Sequence, residues 1–187
     1  LFPGTSQYSD EPAPEGLTIH TIINSVNPLN WLKVGRSIAN DRPDIILVRF
    51  WIPFMGPVLG TILRLVRGNK HTRIIGLADN IIPHEKRPGD SMFTRYFIGS
   101  CHAFITMSEK VMSDLRSLEK VKPAQLVAHP LYDNFGEAIA KDIARQRLGL
   151  GMGDKVILFF GFIRKYKGLD ILLEAMADPR IREAGIK

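Results

Sequence analysis

Short apolar runs alternate with helix-type patterns along the chain, and this alternation constrains the fold more than any other feature. The apolar runs predict strands at residues 17–23, 44–50, 72–78, 102–107, 124–129 and 156–160. The patterns between and after them predict helices at residues 27–40, 57–67, 91–99, 108–120, 137–148 and from 169 onward. Strands of this kind form parallel sheets covered on both faces. We therefore predict an α/β fold with a doubly wound, Rossmann-like parallel sheet, which binds ligands at the carboxyl ends of its strands.

The stretch PLYDNFG at residues 130–136 interrupts this rhythm with Pro, Asp, Asn and Gly. It predicts a boundary between a first domain, residues 1–133, and the start of a second Rossmann-like domain, residues 134–187. The chain begins with LFPG and ends just after a helix-type pattern. We therefore expect an internal fragment of a longer protein, with the first strand of the first domain missing.

Charge and cysteine content narrow the classes of partner and compartment. The formal net charge is +6, and residues 61–130 hold eleven Lys and Arg against six Asp and Glu. This excess favours an anionic partner such as phosphate groups, a membrane surface or nucleic acid, although a merely solvated basic surface fits equally well. The single cysteine, Cys101, excludes an internal disulfide and is expected to be a buried structural thiol in a reducing compartment.

A nearly uncharged stretch at residues 50–66 is the candidate for a membrane-spanning segment. It is seventeen residues long and is interrupted by Pro53, Pro57 and Arg64. A buried or interfacial helix is therefore favoured over a membrane span. The aromatic residues Phe50, Trp51 and Phe54 at its start are expected to lie in the core.

The stretch VILFFGFIRKYKGLDILLEA at residues 156–175 carries the clearest chemical signal. A predicted apolar strand and a predicted helix follow one another in this stretch. Gly161, Arg164, Lys167 and Gly168 lie between them. A helix N-terminus carries partial positive charge, and Arg and Lys beside it suit a diphosphate. A solvated basic loop is the alternative. The stretch matches neither the P-loop pattern nor the GxGxxG pattern.

Other polar residues receive structural interpretations. Ser108 lies where a helix N-cap is expected and lacks the GxSxG context of a nucleophile. His102 and His129 lie at strand edges and are expected to be structural. No His or Cys cluster indicates a metal site.

The segment FFGFIRKYKGLDILLEA resembles the start of the donor-binding domain of retaining GT-B glycosyltransferases of the large bacterial group 1, or family four, type. Four upstream segments are similar to the acceptor domain of that family: RFWIPFMGP, ADNIIPHEKRP, FITMSEKVMSDL and HPLYDNFG. The resemblance spans nearly the whole chain. It is strongest at residues 159–175 and 80–88, and it implies the GT-B fold of two Rossmann-like domains.

The resemblance also implies roles for individual residues. Arg164 and Lys167, with Gly161 and Gly168, would hold the donor diphosphate and stabilise its departure, which requires no metal and no cofactor. The loop after the third predicted strand would carry the catalytic candidates Asp79, Asn80 and His84, although relatives often have a histidine where Asp79 stands. Trp51 and Glu85 are candidates for substrate binding, and for Trp51 core packing is equally favoured.

The implied activity is metal-independent transfer of a sugar, with retention, from a nucleotide-sugar donor to a glycan or a lipid-linked acceptor. The implied setting is bacterial polysaccharide biosynthesis in the cytoplasm, with a peripheral contact at the inner face of the membrane. This fragment alone is expected to be inactive. Two alternatives stay open: a sugar-nucleotide epimerase of the same fold, and a non-catalytic anion-binding module for membrane or nucleic acid. No aromatic-basic pattern for nucleic acid is evident, so no nucleic-acid partner is expected.

Overall fold

A computed structural model of the chain describes residues 12–83, 87–132, 136–161 and 163–187. The chain divides into two compact units, unit 1 (Leu1–His129) and unit 2 (Pro130–Lys187). None of the helices in these ranges combines the length and the hydropathy that a membrane crossing requires.

The described part of unit 1 contains four α-helices: α1 (Pro28–Asp41), α2 (Gly56–Arg67), α3 (Asp90–Ser100) and α4 (Glu109–Leu118). Two of them, α1 and α4, begin at residues whose side chains act as N-caps, and the cap at Ser108 was expected from the sequence. The side chain of Asn27 accepts hydrogen bonds from the backbone N–H groups of Leu29 and Asn30, and Pro28 occupies the first helical position. Ser108 caps α4 by accepting from the N–H of Val111. The helix predictions for this unit are therefore confirmed.

Four strands form one parallel sheet in the order β1-β2-β3-β4: β1 (Ile45–Phe50), β2 (Arg73–Ala78), β3 (Ala103–Thr106) and β4 (Ala124–Leu126). The register pairs Phe50 with Ala78, Ala78 with Thr106, and Thr106 with Leu126. All four strands therefore end at the same level. The α/β class with a parallel sheet is confirmed, and its carboxyl edge is a straight line of strand ends.

The core of unit 1 lies on one face of this sheet. Phe50, Ile74 and Phe104 point to that face and pack with buried residues of all four helices. On the opposite face, Ile45 and Leu47 of the edge strand β1 are each about 60% exposed, whereas Ile75 and Leu77 of β2 are half-buried. Strands that follow one another in sequential order, joined by crossovers of one hand, place their helices on a single face. The described helices contribute their buried residues to the core on one face, so the doubly wound form stays a prediction.

The predicted strand at residues 17–23 is wrong. This segment forms no ladder, and Leu17 and Ile19 are more than 60% exposed. A strand needs a backbone partner, whereas here side chains of α1 bind the carbonyls. The amide of Asn30 donates to the carbonyl oxygen of Ile22 at 3.0 Å. The indole N–H of Trp31 donates to the carbonyl oxygen of Asn24 at 2.7 Å.

Phe50, Trp51 and Phe54 at the end of β1 and just after it were expected to lie in the core, and this is correct only for Phe50, which is fully buried. Trp51 and Phe54 are half exposed. The reason is the short 3-10 turn Pro53–Met55, which leads the chain away from the sheet and buries the ring of Pro53 instead. For Trp51, core packing is thereby excluded.

Unit 2 contains the helices α5 (Lys141–Arg147), α6 (Leu169–Ala177) and α7 (Pro179–Glu183), with a 3-10 turn at Lys165–Lys167. The predicted strand at residues 156–160 is wrong, because its partner segment supplies a single parallel bridge, Lys155 with Ile186, and two adjoining hydrogen bonds. The side chains of Leu158 and Phe160 are correspondingly exposed. The GLGMGD tract at residues 149–154 forms a turn, in which the carboxylate of Asp154 accepts from the N–H of Gly151 at 2.7 Å.

Cys101 and His102 have the structural roles expected from the sequence. The Cys101 thiol is fully buried, and burial raises its pKa to about 12, which leaves it protonated and unreactive. Nδ1 of His102 accepts a hydrogen bond from the N–H of Ile74 at 3.0 Å, while its own backbone N–H donates to the carbonyl of Ile74. The imidazole thus adds a side-chain hydrogen bond between the start of β3 and β2.

We expect His102 to make the stability of unit 1 depend on pH. Burial, helped by the charges of Arg67, Arg73 and Lys122, holds the pKa of His102 below its ordinary value. The unfolded chain therefore binds the proton more tightly. The contribution of His102 is complete above its unfolded-state pKa of about 6.5 and is lost as the pH falls from there through its lower folded-state pKa. Urea unfolding of the wild type and His102→Asn between about pH 8 and about pH 5 measures it. An equally steep loss in the variant would contradict this assignment.

Candidate functional site

A pocket of about 350 Å³ lies at the carboxyl edge of the sheet in unit 1. It is lined by Arg49, Asp79, Met107, Ser108, Val111 and His129. These residues come from four places that the register brings side by side: the end of β1, the residue after β2, the link from β3 into α4, and the segment after β4. We call it the carboxyl-edge pocket. It lies where open parallel sheets bind their ligands.

An ion pair between Arg49 and Asp79 organises this pocket. The Nε–H of Arg49 donates to Oδ2 of Asp79 at 2.5 Å, and the backbone N–H of Asp79 donates to the carbonyl of Phe50 at 2.9 Å. The Arg49 side chain is 64% exposed, so the pair contributes only about 0–1 kcal/mol to stability. Its main effect is to hold the carboxylate of Asp79 in one orientation.

The second carboxylate oxygen of Asp79 can accept a further hydrogen bond. Oδ1 is buried and has no hydrogen-bond partner among the residues that the structure describes. A buried acceptor without a donor is costly, and a carboxylate oxygen accepts readily from a hydroxyl group. Asp79 is therefore suited to receive a hydrogen bond from a hydroxyl-bearing ligand.

Ser108 brings the N-terminus of α4 to the same pocket. Its hydroxyl oxygen accepts from the N–H of Val111 at 3.3 Å, as an N-cap does. This bond leaves Ser108 with a capping role, as predicted, and the partial positive charge of the helix end faces the pocket.

The structure places the predicted residues of unit 1 unevenly. Asp79 lines the carboxyl-edge pocket, and Asn80 follows it as a half-buried residue. Trp51 is half exposed just beyond the end of β1. His84 and Glu85 lie outside the described residues.

The sequence interpretation did not select Arg49, and it treated His129 as structural only, although both line the pocket. The available signal was positional, since both lie at or near the carboxyl end of a predicted strand.

In unit 2, the turn ahead of α6 contains two glycines with positive φ. Gly161 and Gly168 have φ values of +117° and +69°, a region that side chains with a Cβ rarely adopt. Between them, the N–H of Lys167 donates to the carbonyl of Arg164 at 2.9 Å in the 3-10 turn. The turn therefore needs glycine at Gly168, where it passes into α6.

The cations of this turn surround a helix start that lacks a side-chain cap. Gly168 is the N-cap of α6 and makes no side-chain bond to the helix N–H groups. Arg164, Lys165 and Lys167 are exposed around it, and Asp170 in the first turn of the helix opposes them. Helix N–H groups without a side-chain cap and exposed cations together favour a multiply charged anion.

Comparisons with known proteins complete the description of these two sites. Within the described ranges, no group of three or more His, Cys, Asp or Glu side chains is arranged to hold a metal ion. No protein-family model matches the chain, and no curated protein matches it. The case for a function of this chain therefore rests on the geometry of the carboxyl-edge pocket and of the turn before α6.

Proposed function

We propose that this chain is part of a retaining GT-B glycosyltransferase, which moves a sugar from a nucleotide-sugar donor to a hydroxyl of a glycan or lipid-linked acceptor. The observation that carries the proposal is the turn before α6. It combines two left-handed glycines, Gly161 and Gly168, with exposed cations at an uncapped helix start. The family resemblance of residues 159–175 supports the same assignment.

On the donor side, Arg164 and Lys167 bind the diphosphate together with the first N–H groups of α6. When the bond between the anomeric carbon and the diphosphate oxygen breaks, negative charge grows on the departing nucleoside diphosphate. Fixed cations and helix N–H groups stabilise that charge more strongly in the transition state than in the bound donor. No metal ion is required in this proposal.

On the acceptor side, Asp79 orients the hydroxyl that attacks the sugar. Its Oδ2 is bound by Arg49, and its Oδ1 is the acceptor that lacks a partner among the described residues. In the transfer, the acceptor oxygen forms a bond to the anomeric carbon and loses its proton, which the departing diphosphate takes up. Asn80 and His84 remain candidates beside Asp79, and Trp51 and Glu85 remain candidates for contacts with the acceptor.

Calorimetric titration of the chain with UDP, GDP and their sugar derivatives tests the donor site. We expect one of the two nucleotides to bind. Arg164→Ala is expected to weaken binding by about tenfold or more, and Lys167→Ala by several-fold, because charge-assisted hydrogen bonds to phosphate are lost.

Lys165→Ala is the matched control. Lys165 belongs to the same exposed turn but lies outside the Arg164 and Lys167 pattern. Equal weakening by all three variants would mean that the turn attracts anions without seating a diphosphate. If the nucleotides bind weakly and none of the three variants changes that binding, the turn before α6 is not the donor site and the proposal loses its main support.

A further inference from the structure

A second pocket, of about 240 Å³, lies in unit 1 beside the first turns of α3. It is lined by Ile81, Ile82, Pro83, Arg87, Asp90, Ser91, Thr94 and Leu118. None of these residues lines the carboxyl-edge pocket, so it is a separate site. We call it the α3 pocket.

The two sides of the α3 pocket differ in chemistry. One side is apolar and is formed by Ile81, Ile82, Pro83 and Leu118. The other side is polar and comes from α3 and the residues ahead of it. Ser91 and Thr94 are three residues apart in the helix and therefore lie on the same helix face. A ligand that fills this pocket needs an apolar part and a polar part.

Thr94 is the observation that points to a bound ligand. It is 1% exposed, and its hydroxyl oxygen has no hydrogen-bond partner among the described residues. A buried hydroxyl without a partner costs about 1–3 kcal/mol, so its presence at the pocket needs a reason other than stability. Valine has the same shape without that cost.

The charges around the helix start favour an anion as the polar part. The N-cap of α3 is Gly89, which makes no side-chain bond to the helix N–H groups, and Asp90 in the first turn offsets only part of the partial positive charge of the helix end. Arg87 adds a full positive charge at the rim. Asp90 opposes it, although its carboxylate also accepts from the backbone N–H of Arg87 at 2.8 Å.

We propose that the α3 pocket binds a small amphipathic anion, namely a phosphate ester with a short apolar chain. The phosphate contacts Arg87, Ser91 and Thr94, and the chain packs against the apolar side. A volume of about 240 Å³ equals that of about eight water molecules at about 30 Å³ each, so it holds the phosphate group and the first part of a short chain. This proposal is independent of the glycosyltransferase assignment.

Calorimetric titration of the chain with hexyl phosphate tests it, beside hexanol and inorganic phosphate as the two halves of the ligand. We expect hexyl phosphate to bind at one site and each half to bind at least about tenfold more weakly. Arg87→Gln and Thr94→Val are each expected to weaken hexyl phosphate several-fold. Asp90→Asn keeps the acceptor atom, removes the opposing charge and is expected to tighten binding.

Two comparisons separate a binding role from a structural one. Thr94→Val is expected to leave the stability of the chain unchanged or higher, because it removes an unpaired hydroxyl, while it weakens the ligand. Arg95→Gln is the control for charge, since Arg95 is exposed on the same helix but does not line the pocket. Equal binding of hexanol, equal weakening by Arg95→Gln, or no binding of hexyl phosphate would each overturn the proposal.

The same ligand chemistry occurs in soluble phosphate esters and in lipid headgroups. Once hexyl phosphate binding is established, cosedimentation with phosphatidate vesicles distinguishes the two sources. Vesicle binding that hexyl phosphate displaces and Arg87→Gln weakens identifies a lipid, and hexyl phosphate binding without vesicle binding identifies a soluble ester. Both results agree with the proposal, whereas vesicle binding that Arg87→Gln leaves unchanged contradicts the lipid form of it.

Discussion

Replacing Phe97 by alanine is expected to lower the free energy of unfolding of unit 1 by about 3–5 kcal/mol. The ring of Phe97 is fully buried and stacks on that of Phe50, with centroids 4.1 Å apart and planes 5° apart. Alanine leaves a cavity between α3 and β1 that the surrounding backbone closes only in part. Urea unfolding followed by tryptophan fluorescence measures the loss, because both tryptophans, Trp31 and Trp51, belong to unit 1.

Two further variants keep this measurement interpretable. Phe97→Leu retains most of the volume and is expected to cost less than about 2 kcal/mol, which provides a folded reference if the alanine variant does not fold. Phe54→Ala removes the same ring from a half-exposed position and is expected to cost under about 1 kcal/mol. Similar losses for Phe54→Ala and Phe97→Ala would show that the stack is not part of the core.

The core position of Phe97 also bears on the site. Its partner Phe50 ends β1, and the carbonyl of Phe50 accepts the hydrogen bond from the backbone N–H of Asp79. The orientation of the Asp79 carboxylate therefore depends on the packing below the strand end. This is how the apolar core on the helix side of the sheet supports the carboxyl-edge pocket.

Replacing Gly56 by alanine is expected to destabilise unit 1 by about 3 kcal/mol. A Cβ atom at Gly56 would lie 2.3 Å from the carbonyl oxygen of Phe93 and 2.7 Å from its carbonyl carbon. These are backbone atoms of α3, so the two helices must move apart. The gain of alanine in helix propensity, about 1 kcal/mol, does not offset such a shift. The same urea titration measures the difference.

Gly99→Ala is the matched control, because it also replaces a helical glycine in unit 1. Its Cβ would meet only the guanidinium end of Arg64, at 3.0 Å, and that flexible side chain yields at little cost. We expect no loss of stability, or a gain of up to about 1 kcal/mol from helix propensity. Equal effects of the two substitutions would contradict the close approach of α2 and α3 at Gly56.

Features that depend on neighbouring residues were predictable from the sequence. Asn27 and Ser108 cap helices because their side chains reach N–H groups two or three residues ahead. The pattern of apolar residues identified all four strands of the sheet. The positive φ of Gly161 and Gly168 occurs at the two glycines that the sequence places between residues 156–160 and α6.

Features that depend on a distant partner were not predictable. Residues 17–23 and 156–160 have strand-like patterns, yet neither forms a strand in the structure. A strand requires a partner with free backbone groups, and an apolar pattern does not say whether one is present. For the same reason, the pattern did not show that Ile45 and Leu47 would be exposed on the face of the sheet opposite the core.

The site residues also fall into those that neighbouring residues made predictable and those that depend on a distant partner. The sequence alone determined that glycines and cations precede α6 and that Asp79 follows a strand, because both are statements about adjacent residues. Only the tertiary structure decided that Arg49 binds Asp79, thirty residues away, and that Ser108 and His129 line the same pocket. The physical reason is the register of the parallel sheet, which aligns the ends of four strands and is set by backbone hydrogen bonds between segments far apart in the chain.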